Sequence, residues 1–296
     1  MRLPDRRSVT ILFFTILTAC GGSSPDPIQP HSIPDDQLRV VTLSPHLAEI
    51  VFAIGAGDRL VGVSAYTDFP AAAAALQIVG DAYNLDQERL SLLEPDLLLA
   101  WDSGTPLHVI DDLRDRGYRV EVITTTQLDD IPAALRTVGV MLGASERAAT
   151  VAGEFRRFIA VLSSEYRDAA AISVFYQVES LPLYTVNGSH FVSELIGVCG
   201  GTNVFEQLDG LAPLISVEAV LDRDPEVILA SSDAGPAAFD EWDRWPGLAA
   251  NRYGNRFLMP ADEIGRPTPR LATAAAAVCE ALDADRRNRG VGGSGN

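Results

Sequence analysis

The chain has 296 residues, is 47% hydrophobic and carries a formal net charge of −17, and all 23 of its basic residues are arginine. This length and apolar content suit two globular domains with cores of ordinary size. The strong negative charge argues against a nucleic-acid-binding protein, because contacts to phosphates need a basic surface.

The N-terminus has the pattern of an export signal. Three arginines precede the apolar stretch Val9–Leu17, which is too short to span a bilayer. Leu17-Thr18-Ala19-Cys20 matches a bacterial lipobox, which predicts cleavage before Cys20 and lipidation of its sulfur; the alternative is an ordinary signal peptide with an incidental cysteine. We therefore expect a signal peptide over residues 1–19 and a flexible tether over 20–37. The protein would be an exported lipoprotein, in the periplasm or on the cell surface, that meets the membrane through its lipid alone.

Short strands and helices alternate over residues 38–143, which predicts an α/β lobe with a mainly parallel sheet. Arg39–Leu43 has the apolar pattern of a strand, and Ser44 and Pro45 suit the cap and first position of the helix that follows. Later elements are predicted at Leu60–Val63 (strand), Gln77–Gly80 (short strand), Leu107–Arg116 (helix), Arg119–Ile123 (strand) and Ile131–Leu142 (helix).

One sequence pattern occurs twice, at Glu88–Ala100 and at Glu218–Ala230. Each copy has a glutamate seven residues before a proline, an acid on both sides of that proline, and then an apolar run typical of a strand buried on both faces. Asp86 and Ser216 are suitable N-caps for the short helix in each copy. A repeat this widely spaced indicates two related α/β lobes rather than a solenoid.

Residues 144–170 lack helix-breaking pairs and keep apolar residues at helical spacing, which predicts a long linking helix. A second α/β lobe is predicted over 171–285, with a final helix at Pro269–Leu282 and a disordered tail over 286–296. The expected fold is α/β, with two Rossmann-like lobes around central, mainly parallel sheets, joined by one long rigid helix.

Cysteine content agrees with export. Once Cys20 is lipidated, Cys199 and Cys279 remain. In an oxidising compartment this pair either forms a disulfide or remains as two buried thiols.

Several segments together resemble the substrate-binding proteins of ABC importers, in the class with two α/β lobes and a helical link. They lie between Arg39 and Ala284 and are Val41-Thr42-Leu43-Ser44-Pro45 with Glu49, Gly62–Pro70, Glu94–Trp101, Val198–Phe205 and Pro267-Thr268-Pro269-Arg270. Within this class, the Tyr66 loop, Trp101 and the two cysteines are most similar to the members that bind vitamin B12 (cobalamin).

The resemblance implies a monomer without catalytic activity, cofactor or bound metal, which holds a small-molecule ligand in the cleft between its lobes. It implies that Tyr66 and Trp101 pack on a corrin ligand and that Asp262 and Arg266 lie at the cleft edge. It implies a Cys199–Cys279 disulfide. Glu88 and Glu218 would dock on arginines of the permease, which works with an ATPase.

The residues alone also allow simpler interpretations of these side chains. Either aromatic side chain could be ordinary core, although both follow predicted strands, where α/β sheets bind ligands. Glu88 and Glu218 could simply offset the charge at a helix N-terminus.

The chain also departs from the cobalamin binders at three aromatic positions. The first position is Ala82, although the neighbouring Tyr83 could supply the missing aromatic ring. The second position falls near Ala212-Pro213, and the third is Glu263. A ferric siderophore or haem binder is therefore the alternative, with His46 a possible haem ligand. A secreted enzyme is disfavoured because the chain has no nucleophile elbow, zinc-protease motif or phosphate loop.

Overall fold

The computed structural model describes residues 38–292, with side chains as far as Arg289. The predicted signal peptide, the lipidation site Cys20, the tether and the last residues, 293–296, lie outside this range. Among the described residues, no helix combines the length and the apolar content needed to cross a bilayer.

The first lobe is built on five parallel strands. They are β1 (Val40–Thr42), β2 (Leu60–Val63), β3 (Gln77–Ile78), β4 (Leu97–Trp101) and β5 (Val120–Ile123), in the order β3-β2-β1-β4-β5. The helices are α1 (Pro45–Ala53), α2 (Ala71–Ala74), α3 (Gln87–Leu92), α4 (Leu107–Asp115) and α5 (Asp130–Met141).

The linking helix α6 covers Ser145–Glu165 and leads to the second lobe. The strands that follow are β6 (Ile172–Gln177), β7 (Glu179–Ser180), β8 (Leu183–Tyr184), β9 (Gly201–Asn203), β10 (Val227–Ser231) and β11 (Arg256–Met259). The helices are α7 (Phe191–Val198), α8 (Val217–Arg223), α9 (Ala249–Arg252), α10 (Ala261–Gly265) and α11 (Leu271–Gly292). Four strands form a parallel sheet in the order β11-β10-β6-β9, and β7 and β8 pair as an antiparallel hairpin. The predicted fold class is confirmed.

Strand β4 is buried on both faces, as its apolar run predicts. Leu97 and Leu99 belong to the core beneath α1 and α5, whereas Leu98 and Ala100 pack on the opposite side, which faces α4. Each fully buried leucine stabilises the fold by roughly 1.5–3 kcal/mol. The larger core continues through the buried face of α6 into the second lobe. The buried residues of α6 lie between Ala148 and Phe155 and belong to the same core as residues of both lobes, so this part of the helix joins the two sheets through a continuous core.

The acids beside the repeated prolines have structural roles. Glu94 and Asp224, each directly before the proline, both adopt a left-handed backbone with φ of 41°. The acid after the proline accepts from a backbone amide at the start of the first strand of its lobe. Asp96 accepts from Arg39 N, directly before β1, at 2.8 Å, and Glu226 accepts from Ser173 N, in β6, at 2.8 Å. The same turn thus pins the central strand beside its neighbour in both lobes, which explains why the pattern occurs twice.

Helix α11 is longer than predicted, since it continues to Gly292 through much of the segment expected to be disordered. Its last turns are held by a polar network that sequence spacing does not show. Asp285 is fully buried and accepts from Asn255 Nδ2 at 2.6 Å, and Arg289 pairs with both Asp285 and Glu226. Paired burial of these charges fixes the helix against the second sheet.

Cys199 and Cys279 form the expected disulfide, which ties the end of α7 to α11. We expect the Cys199→Ser/Cys279→Ser variant to lose about 2–4 kcal/mol of unfolding free energy, because the bridge closes a loop across a sequence separation of 80 residues. Urea denaturation measures this. Dithiothreitol should destabilise the wild type by the same amount and leave the variant unchanged. An unchanged denaturation midpoint in the variant would show that the bridge adds no stability.

Candidate functional site

The candidate site begins as a cavity of about 350 Å³ at the carboxyl ends of β1, β2 and β4. The sequence-predicted Tyr66, Tyr83 and Trp101 all line it, together with Ser44, Pro45 and Gly104. In parallel α/β sheets this edge is where ligands bind. The structure therefore brings the three predicted aromatic side chains together.

Tyr66 follows β2 and projects from the protein, with 81% of its surface exposed. Its backbone is left-handed, with φ of 65°, an uncommon conformation for a residue that has a Cβ. Such strain persists only where the surroundings hold it, and it is concentrated at functional sites.

Tyr83 is 73% exposed and lies on the loop before α3. The Asp81 carboxylate accepts from the amides of Tyr83, at 2.8 Å, and Asn84, at 2.7 Å, which shapes this loop. These hydrogen bonds hold the pKa of Asp81 below its usual range. Ala82 and Tyr83 both line the cavity.

Trp101 ends β4 and is half-buried. Gly104 lies under its ring, and a Cβ at that position would come within 2.1 Å of Trp101 Cε3. Among the described residues, its buried Nε1 has no hydrogen-bond partner. A ligand acceptor could satisfy this donor, since buried indole N–H groups are usually paired.

His46 supports Trp101 from behind the cavity. Their rings meet edge to face, with centroids 4.8 Å apart, and His46 is buried. Its Nδ1 lies 2.7 Å from Ser44 Oγ and its Nε2 lies 3.3 Å from Thr125 Oγ1. The sequence predicted that the Ser44 side chain caps α1. Instead, Ser44 Oγ contacts His46, and it makes no capping hydrogen bond to α1. His46 does not line the cavity, and both of its nitrogens are engaged by protein hydroxyls.

Burial and, to a smaller extent, the nearby charge of Arg266 together lower the pKa of His46 to about 3. The unfolded chain therefore binds one more proton than the folded chain between pH about 3 and about 6.5, so stability falls as the pH drops through this window.

We expect His46→Gln to reduce the stability loss between pH 7 and pH 5 by about 2 kcal/mol. Urea denaturation at both pH values measures it, with the exposed His108→Gln as the control. An unchanged pH dependence in His46→Gln would contradict the assignment.

Asp262 and Arg266 lie on or just after α10 of the second lobe and form an ion pair of 2.8 Å. Arg266 also reaches across to the first lobe, where it contacts Glu49 at 2.9 Å and Asp68 at 2.5 Å. The hydrogen bond from Arg266 holds the pKa of Asp68 below its usual range. The structure thus places both residues at the edge between the lobes, with Arg266 already occupied by protein carboxylates.

Sequence reasoning missed a cavity of about 490 Å³ in the second lobe. It lies between the β7–β8 hairpin and the segment before α8, and its lining includes Leu181, Ile215 and Trp242. Leu181 at the hairpin tip is 90% exposed. Pro182, which directly precedes Leu183-Tyr184, was the available sign of a turn at this point.

Glu88 and Glu218 lie in the first turns of α3 and α8, which are equivalent helices of the two lobes. Both carboxylates are exposed, and within residues 38–292 neither forms an ion pair. Nearby arginines turn away: Arg89 donates to Ile78 O at 2.5 Å, and Arg223 donates to Val204 O at 2.9 Å. Backbone and Ser216 hydrogen bonds lower the pKa of Glu218, which keeps it ionised. Asp86 and Ser216 cap the two helices, as predicted.

Comparison with known proteins identifies the family. The family model described as periplasmic binding protein matches residues 40–263. The chain belongs to the periplasmic binding protein family. The resemblance seen in its motifs is confirmed.

Two relatives in this family match most of the chain in sequence. The vitamin B12-binding protein of Vibrio parahaemolyticus is 32% identical over 283 residues, covering 94% of this chain and 96% of the relative. The vitamin B12-binding protein of Vibrio cholerae is 34% identical over 245 residues, covering 82% and 88%.

Solved structures of family members agree. The periplasmic vitamin B12 binding protein BtuF of Vibrio cholerae superposes with a TM-score of 0.77 at 33% identity, covering 84% of this chain and 97% of that structure. The periplasmic haem-binding protein HutB of Vibrio cholerae gives a TM-score of 0.73 at 19% identity, covering 83% and 99%, which shows a shared fold. This family member is thus an exported substrate-binding protein of an ABC importer. It binds a small ligand, works with a permease and an ATPase, and is not an enzyme.

Proposed function

We propose that the protein captures cobalamin, or a related cobamide, between its lobes and delivers it to an ABC importer. The observation that carries this proposal is the convergence of Tyr66, Tyr83 and Trp101 on one cavity. A corrin ring is a large, flat surface with amide groups at its rim. Aromatic faces with a few polar groups suit such a ligand.

The second lobe supplies the other wall in this proposal. Its cavity of about 490 Å³ includes the carboxyl end of β6 at Gln177, and apolar side chains line much of it. Leu181, and Leu214 at 61% exposure, present apolar surface where the aromatic near Ala212-Pro213 is missing. Aliphatic contacts would thus replace part of the lost aromatic surface.

Delivery would use the exposed acids on α3 and α8. Because Glu88 and Glu218 have no ion-pair partner among the described residues, each can pair with an arginine of the permease without breaking an internal contact. In this proposal Cys20 carries the lipid, and the tether, residues 20–37, lets the lobes reach the importer from the membrane surface.

Haem is the second candidate, and one observation favours it: the exposed phenols of Tyr66 and Tyr83 could ligate iron. His46 is not positioned for that role, since it lies buried behind Trp101. An anionic ferric siderophore has less support. Arg266 and Arg270, the cations at the cleft edge, are already paired with Glu49, Asp68, Asp262 and Glu263.

Calorimetric titration of the mature protein, with Cys20→Ser to prevent lipidation, tests the assignment. We expect one cyanocobalamin to bind per chain, with a dissociation constant at least roughly a hundredfold lower than that of haemin. Such a ratio corresponds to a difference of only about 2.7 kcal/mol in binding free energy. Tight haemin binding with an iron–phenolate absorption band, and no heat from cyanocobalamin, would overturn the cobalamin assignment in favour of haem.

A further inference from the structure

Helix α3 has a buried inner side and an outer side that combines a charge with apolar surface. Leu90 is fully buried, and Leu93 packs against the same core of the first lobe. Glu88 and Leu92 are four residues apart, which places them together on the side of the helix away from Leu90. Leu92 is 76% exposed. We call Glu88 and Leu92 the outer face of α3.

Helix α8 of the second lobe has the same register but a different outer face. Its buried residue is Val220, and the exposed Glu218 and Asp222 lie two residues before and two residues after it. Glu88 and Leu92 have the same spacing around the buried residue of α3. The two outer faces therefore share a glutamate and differ at the second position, which is a leucine in the first lobe and an aspartate in the second.

The second position of each outer face adds little to the fold. Leu92 leaves most of its apolar surface in water, whereas a leucine stabilises a fold through burial. Asp222 lies four residues from Glu218, and like charges at this spacing destabilise a helix. Arg223 is turned away from both acids, since its Nε donates to Val204 O at 2.9 Å and its Nη1 donates to a backbone carbonyl of α8 at 3.0 Å. Such residues suit contact with a partner better than a role in folding.

We propose that Leu92 is an apolar anchor by which the first lobe docks on the permease, beside the ion pair made by Glu88. The second lobe has no such anchor, because Asp222 takes this position, and it docks through carboxylates alone. The permease surface that meets α3 then offers an apolar recess next to a cation, whereas the surface that meets α8 needs only cations. This inference rests on the proposed function, from which it takes its partner.

Charge favours the permease over a second copy of this chain as the partner. Within residues 38–289, whose side chains the structure describes, Glu88, Glu218 and Asp222 form no ion pair. Two copies that met at these faces would bring carboxylates together, in a chain with a net charge of −17. Arginines of a permease complement each acid instead. An apolar contact beside an ion pair also excludes water, which strengthens the pair.

Docking of the ligand-free mature protein, with Cys20→Ser, on the permease–ATPase complex in lipid nanodiscs tests the anchor. Biolayer interferometry at about 50 mM and about 300 mM salt gives the dissociation constants, since screening separates ionic from apolar contacts. We expect Leu92→Ser to weaken docking roughly tenfold at both salt concentrations. Leu92→Met keeps an apolar side chain of similar size and should dock within about twofold of the wild type. Val161→Ser on α6, at an apolar residue that is 65% exposed, is the matched control and should dock normally.

Asp222→Asn should give a different salt dependence. We expect it to weaken docking roughly threefold at the lower salt concentration and less than roughly 1.5-fold at the higher one, because salt screens an exposed ionic contact. Glu154→Gln, at an exposed acid of α6, is the control for charge and should have no effect at either concentration. A loss in Asp222→Asn that is the same at both salt concentrations would contradict docking of α8 through carboxylates.

Comparison with Glu88→Ala/Glu218→Ala separates this inference from the proposed function. If the double variant fails to dock while Leu92→Ser docks like the wild type, the anchor is refuted and the proposed function stands. If Leu92→Ser docks tenfold more weakly while the double variant docks normally, docking by the two acids is refuted and the anchor stands. Sedimentation velocity of the protein alone should show a monomer. A dimer that Leu92→Ser dissociates would assign this face to a second copy and overturn the proposal.

Discussion

Trp101→Ala is expected to weaken cyanocobalamin binding by roughly 10- to 100-fold, because a stacked aromatic side chain contributes about 1–3 kcal/mol to the binding of a planar ligand. Trp101 lines the cavity and has an unpaired buried Nε1 within the described chain, so the substitution removes both a ring face and a donor. Calorimetry at a fixed pH measures the change in dissociation constant.

Trp245→Ala is the matched control, since Trp245 is 38% exposed and does not line either cavity described above. Gly104→Ala offers a second variant that keeps the indole but displaces it, because the added Cβ would clash with Trp101 Cε3. Thermal unfolding should show both site variants folded. Wild-type affinity in a folded Trp101→Ala protein would remove the aromatic cavity from the ligand site.

Replacing Glu88 and Glu218 together with alanine should abolish import while leaving cyanocobalamin affinity within about twofold of the wild type. The acids are exposed on separate helices, and they do not line the aromatic cavity. If each acid pairs with an arginine of the permease, the double substitution leaves both arginines unpaired. This loss costs several kcal/mol of docking free energy. Uptake of radiolabelled cobalamin by cells that depend on this protein measures import, and calorimetry measures affinity.

Glu146→Ala/Glu154→Ala provides the control for charge. Both acids are exposed on α6, and Glu146 lies in a first helical turn, as Glu88 and Glu218 do. This variant should import normally. Single Glu88→Ala and Glu218→Ala variants should each retain part of the uptake. A fall in affinity as steep as the fall in uptake would contradict docking by these acids.

The repeated pattern shows how far sequence alone can go. A proline stops each short helix, and a short apolar run such as Leu97–Ala100 directly after it is typical of a buried strand, so the central strand of each lobe was predictable from local rules. Trp101 could be placed at a strand end for the same reason. The length of α11 could not be predicted, because it depends on contacts of Asp285 with Asn255 and of Arg289 with Glu226, which are distant in sequence.

The site was predictable only in part. Tyr66, Tyr83 and Trp101 lie after strands that the sequence indicated, and parallel strands bring such positions to one edge. Arg266 was expected only at the cleft edge, as the family resemblance implied. Its contacts with Glu49 and Asp68 cross between lobes and carry no local signature. The same is true of His46, whose contacts with Trp101 and Thr125 arise only once the sheet has formed.

A crystal structure of the protein grown with cyanocobalamin tests the proposed ligand site. We expect corrin density between the lobes, in contact with Tyr66, Tyr83 and Trp101. Density for the ligand elsewhere, or an empty cleft at saturating cyanocobalamin, would contradict it.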